Sequence, residues 1–526
     1  MTIKRILATA GLGLWIACAH AAPVATKLGL VQGVRSGEVE IFKGIPFARP
    51  PVGQLRWQAP VAPARWQHVL KADHFGHDCM QFPFPSDAAP LGVTPAEDCL
   101  YVNVWRPAAS AAAPRPVLVW IYGGGFVNGG SSPAVYDGSE FARQGIVFVS
   151  FNYRVGRFGF FGHPALTAEA GAKGLLGNYG YMDQIAALKW VQQNIRAFGG
   201  DPDQVTVIGE SAGGASVHML MATPLAAGLF RNAIVMSGGG RGYIMGDRRL
   251  SEDLPGRPSA ETVGMNFAAS VSISGRDAAA LKRLRALPAD KVVAGLNMAT
   301  MNAPDPAKAT YGGPMVDGRI VTAPADDIYA KGSSNAKSVM VGATAADIGF
   351  PSGSTLDALY ARFGSQRSEA EAAFDPTRSG NIARIGHDIA MDAFMVEPAR
   401  YVARLIARSG RPAFHYRFSY VAESMRGEWP DGAPHATDIP FFLNTVAAKY
   451  GDQLTPRDAA MARLASTAIA NFTKHGNPNW GALAGWPASR PDDAGVFDFA
   501  LEGPAGWRDD PWKQRLDLVE ASAQPH

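Results

Sequence analysis

Val205-Thr-Val-Ile-Gly-Glu-Ser211-Ala-Gly-Gly-Ala-Ser-Val-His-Met-Leu-Met221 is the stretch on which the reading of the fold turns. Val205 to Ile208 is an apolar, β-branched run of strand length, and Ala215 to Met221 has a helical pattern. Between them Gly209-Glu210-Ser211-Ala212-Gly213 spells Gly-x-Ser-x-Gly. In a chain with 58 glycines that pentapeptide says little by itself, because a serine between glycines is commonly a turn residue. Strand, sharp turn and helix together say more, since they hold a serine hydroxyl exposed where it can act as a nucleophile. Glycines on both sides let two backbones approach without a Cβ clash. No other serine has this glycine spacing.

Further runs of buried-strand length lie on both sides of this stretch: Val117 to Tyr122, Ile146 to Phe151, Asn232 to Met236, Ser338 to Val341 and Ala413 to Phe418. Helical patterns separate them. In Asp183 to Phe198, Ile185, Leu188 and Val191 to Ile195 repeat at helical spacing until Gly199-Gly200 stops the run. Alternating strands and helices predict an α/β fold with a large, mostly parallel sheet covered on both faces. Ala108 to Ala113 and Gly239 to Pro258 read as surface loops, and neither marks a domain boundary. One large domain over residues 22–526, with long loop insertions, is the expectation.

The start of the chain reads as a secretory signal peptide: Lys4 and Arg5, an apolar run from Ile6 to Ala19, then Ala19-His20-Ala21 as a cleavage site. A run of about 14 residues is too short to span a bilayer. Cleavage after Ala21 predicts a secreted or periplasmic protein, with Cys18 as an alternative lipid-attachment site. Loss of Lys4 and Arg5 leaves 47 basic against 46 acidic residues, a balance that gives no ground for a nucleic-acid partner. Cys18 would depart with the signal, so Cys79 and Cys99 remain in an oxidising compartment and are expected to pair; two buried thiols are the alternative.

A serine that attacks an acyl group needs N–H donors aimed at the oxyanion, each contributing about 3 to 4 kcal/mol. Tyr122-Gly123-Gly124-Gly125-Phe126 follows a strand and exposes consecutive backbone N–H groups, so Gly124, Gly125 and Ala212 are the expected donors. The dinucleotide-binding pattern does not fit, because Asn128 stands where its third glycine belongs.

With these elements the chain resembles the type B carboxylesterases, the group that includes the cholinesterases. The match runs through Phe42-Lys-Gly-Ile-Pro-Phe-Ala, Pro50-Pro-Val-Gly with Arg56-Trp57, and Glu97-Asp98-Cys99-Leu100-Tyr101-Val-Asn-Val-Trp105. It continues through the triple glycine, Asn152-Tyr153-Arg154, Gly177-Asn178 with Asp183-Gln184, and Gly199-Gly200-Asp201-Pro202 into the serine motif. The resemblance implies an α/β-hydrolase fold, ester hydrolysis through an acyl-enzyme, and a disulfide at Cys79 and Cys99. It also implies the chain order serine, acid, histidine.

His435 is the histidine the resemblance selects; His387, His415 and His475 read as structural, by their place in a helix, in a strand and at a helix end. The acid falls in Gly342-Ala-Thr-Ala-Ala-Asp347, where the family typically has glutamate at the last position and asparagine at the third. Asp347 is therefore assigned, on the expectation that its loop moves closer or that His435 leans in; Asp438 is the alternative. Glu210 and Ser237 are candidates for softer polar roles near the triad. Phe126, Phe350, Phe441 and Phe442 line an apolar pocket or belong to the core. His74, His77 and Cys79 lack a fourth ligand, so no metal and no cofactor are expected. The segment from Cys79 to Cys99 holds no tryptophan, which argues against a choline platform.

The expected function is a secreted serine carboxylesterase with a small-molecule ester substrate, in monomeric form. An amide, carbamate or lactone as the bond cleaved, or a non-catalytic binding protein of the same fold, are the competing readings.

Overall fold

The computed structural model describes residues 19–523 apart from 86–88, 172–173, 244–245, 480, 484 and 493. The expected signal-peptide core, with Lys4, Arg5 and Cys18, lies outside the described residues.

Twelve strands form the main sheet. They are β1 (Ala19–His20), β2 (Val34–Ser36), β3 (Val39–Pro46), β4 (Tyr101–Pro107), β5 (Arg115–Ile121) and β6 (Val147–Phe151), followed by β7 (Gly200–Glu210), β8 (Asn232–Met236), β9 (Ser338–Thr344), β10 (Ala413–Phe418), β11 (Gly495–Phe499) and β12 (Gly506–Asp509). Their order is β1-β2-β3-β4-β6-β5-β7-β8-β9-β10-β11-β12. From β6 to β11 every pairing is parallel, and antiparallel strands flank that block at both ends.

Every residue of β8, β9 and β10 is buried, which requires cover on both faces and explains their unbroken apolar runs. Helices Ala212–Ala222 and Glu397–Arg408 pack on β7 to β10, and Pro456–His475 packs on β5 and β7. The strands that sequence periodicity locates are all present. β7 is longer than its apolar core, because Gly200 also pairs with Arg115 across a register shift before Val205. The run from Asp183 to Phe198 divides into an α-helix, Tyr179–Asn194, and a 3₁₀ turn, Ile195–Phe198, closed by Gly199 with φ 79°.

Parallel strands put their carboxyl ends on one edge of the sheet, and ligands bind beyond that edge. Glu210 ends β7, Met236 ends β8 and Thr344 ends β9. The residues that follow each of them meet there.

Candidate active site

Ser211 follows β7 and has φ 57° and ψ −122°, a conformation that L-residues rarely adopt. The chain reverses at this point because helix Ala212–Ala222 begins at the next residue, folding back against the strand. The turn is held by the Ser211 N–H donating to the Met236 carbonyl over 3.0 Å. Gly213 is dictated by crowding, since a Cβ there would collide with the Ile121 carbonyl oxygen. The triple-glycine loop packs on the same turn: a Cβ on Gly123 would stand 2.9 Å from the Ser211 Cβ.

The Gly124 carbonyl accepts from Val127 and Asn128 N–H groups, at 3.1 and 2.9 Å. Among the described residues no protein acceptor takes the N–H of Gly124 or Gly125. Ala212 is the first residue of its helix, where the N–H has no intrahelical partner. Below the loop Tyr122 and Tyr153 stack at 4.4 Å, and each hydroxyl donates to the other's backbone carbonyl. Arg154 and Asp183, both buried, form a bidentate pair at 2.8 Å beneath them.

His435 and Asp347 meet across loops. The His435 Nδ1 lies 2.6 Å from Asp347 Oδ1. The two loops run side by side, with the Ala346 N–H donating to the Ala433 carbonyl over 2.9 Å. The Asp347 carboxylate accepts three further hydrogen bonds: from the Ile348 N–H on Oδ1 at 2.8 Å, and from the Thr344 N–H and Ser237 Oγ on Oδ2 at 3.0 and 2.6 Å. Thr344 contributes through its backbone, so threonine in place of the family's asparagine leaves this contact intact. The Asp347 N–H points at Met391 Sδ, 3.1 Å away, a contact with no sequence signal.

Burial drives the Asp347 carboxyl up, but the facing His435 charge and these hydrogen bonds outweigh it and hold the carboxyl below its ordinary value. Burial disfavours the His435 imidazolium, yet the carboxylates of Glu210 and Asp347 prevail and push it up to about 9. Glu210 Oε1 is 3.2 Å from His435 Nε2. Asp438 is fully buried, and burial followed by the Glu210 and Asp347 charges raises its carboxyl well above the usual range. Neither Asp438 oxygen hydrogen-bonds His435, so the geometry favours Asp347 over Asp438 as the ring's partner.

Cys79 and Cys99 form a disulfide, which removes Cys79 from any metal set with His74 and His77. The closed loop braces the glycine loop: Gln81 hydrogen-bonds both the carbonyl and the N–H of Gly129, at 2.7 and 3.0 Å, and takes a bond from Asn128. His415 is buried in β10, His475 ends its helix, and His387 sits on helix Ile382–Met391. Phe441 and Phe442 pack on Phe418 in the core, Phe126 is buried against Phe160 and Tyr181, and Phe350 is 65% exposed beside Phe394. A cavity of about 80 Å³ borders the helix one turn beyond Ser211, lined by Ala215, Met219, Gly238 and Met315 among others. No described helix is long and apolar enough to cross a membrane.

The family model for the Carboxylesterase family matches residues 20–514. Fumonisin B1 esterase of Sphingopyxis macrogoltabida is 34% identical over 478 residues, covering 88% of this chain and 83% of that protein. Para-nitrobenzyl esterase of Bacillus subtilis (strain 168) is 34% identical over 483 residues, covering 88% and 92%. Cocaine esterase of Homo sapiens is 31% identical over 509 residues, covering 89% and 85%. With an α/β sheet of this topology and a serine turn at its carboxyl edge, the chain belongs to the carboxylesterase family and is a carboxylic ester hydrolase.

Proposed function

We propose that this esterase works through a Ser211–His435–Asp347 triad, with the N–H groups of Gly124, Gly125 and Ala212 as the oxyanion hole. The observation that carries the reading is the 2.6 Å contact between His435 Nδ1 and Asp347 Oδ1, made beside the serine turn. Asp347 fixes the ring with its Nδ1 proton bound, which leaves Nε2 to accept a proton.

His435 Nε2 takes the Ser211 hydroxyl proton as Oγ attacks the ester carbonyl carbon. The carbonyl oxygen becomes an anion and is held by the three N–H groups. Collapse of the tetrahedral intermediate breaks the bond to the alcohol, which departs with the proton from His435. Water then gives a proton to the same nitrogen and attacks the acyl-enzyme, releasing the acid and restoring the serine.

The chain acts outside the cytoplasm as a single-domain monomer, with residues 1–21 removed as a signal peptide. The disulfide supports an oxidising compartment. Amino-terminal sequencing of the exported protein reads Ala22 first; a lipid on Cys18 overturns that cleavage.

Hydrolysis of p-nitrophenyl esters by the mature chain and by Ser211→Ala tests the catalytic reading. The variant loses activity by at least about 10³-fold and is no longer labelled by a serine-reactive phosphonate. Equal activity in both overturns the assignment of the nucleophile.

A further inference from the structure

The acid of the triad is seated on the end of a neighbouring helix. The Asp347 N–H donates to Met391 Sδ over 3.1 Å, and Met391, 1% exposed, is the last residue of helix Ile382–Met391. Resting on the catalytic reading above, in which Asp347 orients His435, we propose that Met391 is a positioning residue whose sulfur sets how closely the acid meets the ring.

Four observations support this. Two more residues of the acid loop meet the same helix end. A Cβ on Gly349 would collide with the Met391 nitrogen and the Ala390 carbonyl carbon, and Ile348 packs against the small core that Met391 shares with Ala343, Met395 and Leu516. The helix also reaches the carbonyl side of Asp347. His387, one turn before Met391 on the same face, is raised above its ordinary value, first by its hydrogen bond to Asp388 and, against the cost of burial, also by one to the Asp347 carbonyl. Met391 is held from behind as well. The next residue, Asp392, is fully buried in a π-helical turn, Asp392–Val396, and its Oδ2 accepts from Arg515 Nε of helix Lys513–Ser522 at 2.8 Å. Such turns recur at functional sites. Finally, a thioether suits this place: it accepts the N–H without adding charge beside a buried carboxylate, and it has no proton of its own to satisfy.

The test compares wild type with Met391→Leu, which keeps the volume and removes the acceptor, and with Met395→Leu, the same exchange elsewhere in the same small core. On one p-nitrophenyl ester Met391→Leu lowers kcat about tenfold with KM within about twofold, because a slip smaller than about 1 Å costs less than the roughly 10²-fold of a full one. Its pH–rate inflection moves to lower pH, since a retreating Asp347 raises His435 less while Glu210 and Asp438, the other acids facing the ring, are unchanged. Met395→Leu keeps the wild-type inflection. An unmoved inflection in Met391→Leu overturns the proposal whatever happens to kcat, and so does an equal shift in Met395→Leu, which marks a general loosening of the core. A second measurement needs no turnover: the downfield proton signal of the His435 Nδ1–H, assigned by its loss in His435→Ala. It moves upfield in Met391→Leu and stays in place in Met395→Leu; one position in all three proteins overturns the proposal. If Ser211→Ala hydrolyses the ester as fast as wild type, the catalytic reading falls, and the proton signal still decides whether Met391 sets the contact.

Discussion

Ser237 Oγ donates to Asp347 Oδ2 at 2.6 Å while His435 Nδ1 meets Oδ1 of the same carboxylate at 2.6 Å, so the acid is gripped from both sides. A carboxylate fitted this closely has no room for another methylene. Asp347→Glu, although it restores the residue the family usually carries, lowers kcat by about 10²-fold, because a displacement near 1 Å at a catalytic group costs that much. Asp347→Asn, which offers the ring the wrong tautomer, loses about 10⁴-fold. Steady-state kinetics on one p-nitrophenyl ester check both, and a glutamate variant as fast as wild type would contradict the close fit.

The His435 folded value near 9 lies above the ordinary 6.5, and the base must be neutral to act. The kcat/KM of the wild-type enzyme therefore climbs with pH from 7 toward 9. Glu210→Gln removes an anion 3.2 Å from Nε2 and moves that inflection to lower pH. The same linkage acts on stability: protonated His435 favours the folded state fully below pH 6.5, and that contribution is lost as pH rises through about 9. pH–rate profiles of the two proteins, run on the same substrate, give the comparison.

Strain at Ser211, with φ 57° and ψ −122°, is relieved by the one residue that tolerates such angles. Ser211→Gly unfolds with a free energy about 1 kcal/mol higher than Ser211→Ala, and both are inactive. Denaturant titration of the two variants measures the difference; equal midpoints with equal slopes would mean that the turn stores no strain.

Asp183→Asn leaves the Arg154 guanidinium buried without its counter-charge beneath the glycine loop. Breaking one half of such a pair costs about 3 to 5 kcal/mol. Thermal unfolding registers the loss, and a shift of less than a degree would place the pair outside the stability of the loop.

Local rules carried much of this architecture. Strand, glycine turn and helix at Ser211 were legible because each follows from short-range spacing, and the parallel sheet followed from runs with no polar alternation. Boundaries were less so. The helix after Ser211 begins at Ala212 rather than Ala215, since Gly213 and Gly214 weaken the helical pattern yet are required by contacts with Ile121, Met236 and Gly238. The strand before it starts at Gly200, ahead of the apolar run Val205 to Ile208, because Asp201-Pro-Asp-Gln204 carries no apolar strand pattern. The polar surroundings of His435 were named residue by residue but not as an arrangement: Glu210, Ser237, Asp347 and Asp438 are brought together across more than two hundred positions. Met391 behind Asp347 had no pattern of its own, because what defines it is a partner remote in sequence.

The disulfide loop reaches both sides of the site, through Gln81 to Gly129 and through the Pro83 carbonyl to Asn297. One covalent link therefore tethers two separate walls of the cleft, while the serine turn is held by backbone contacts elsewhere. Opening that link would slacken the fence around the nucleophile and leave the turn that carries it in place.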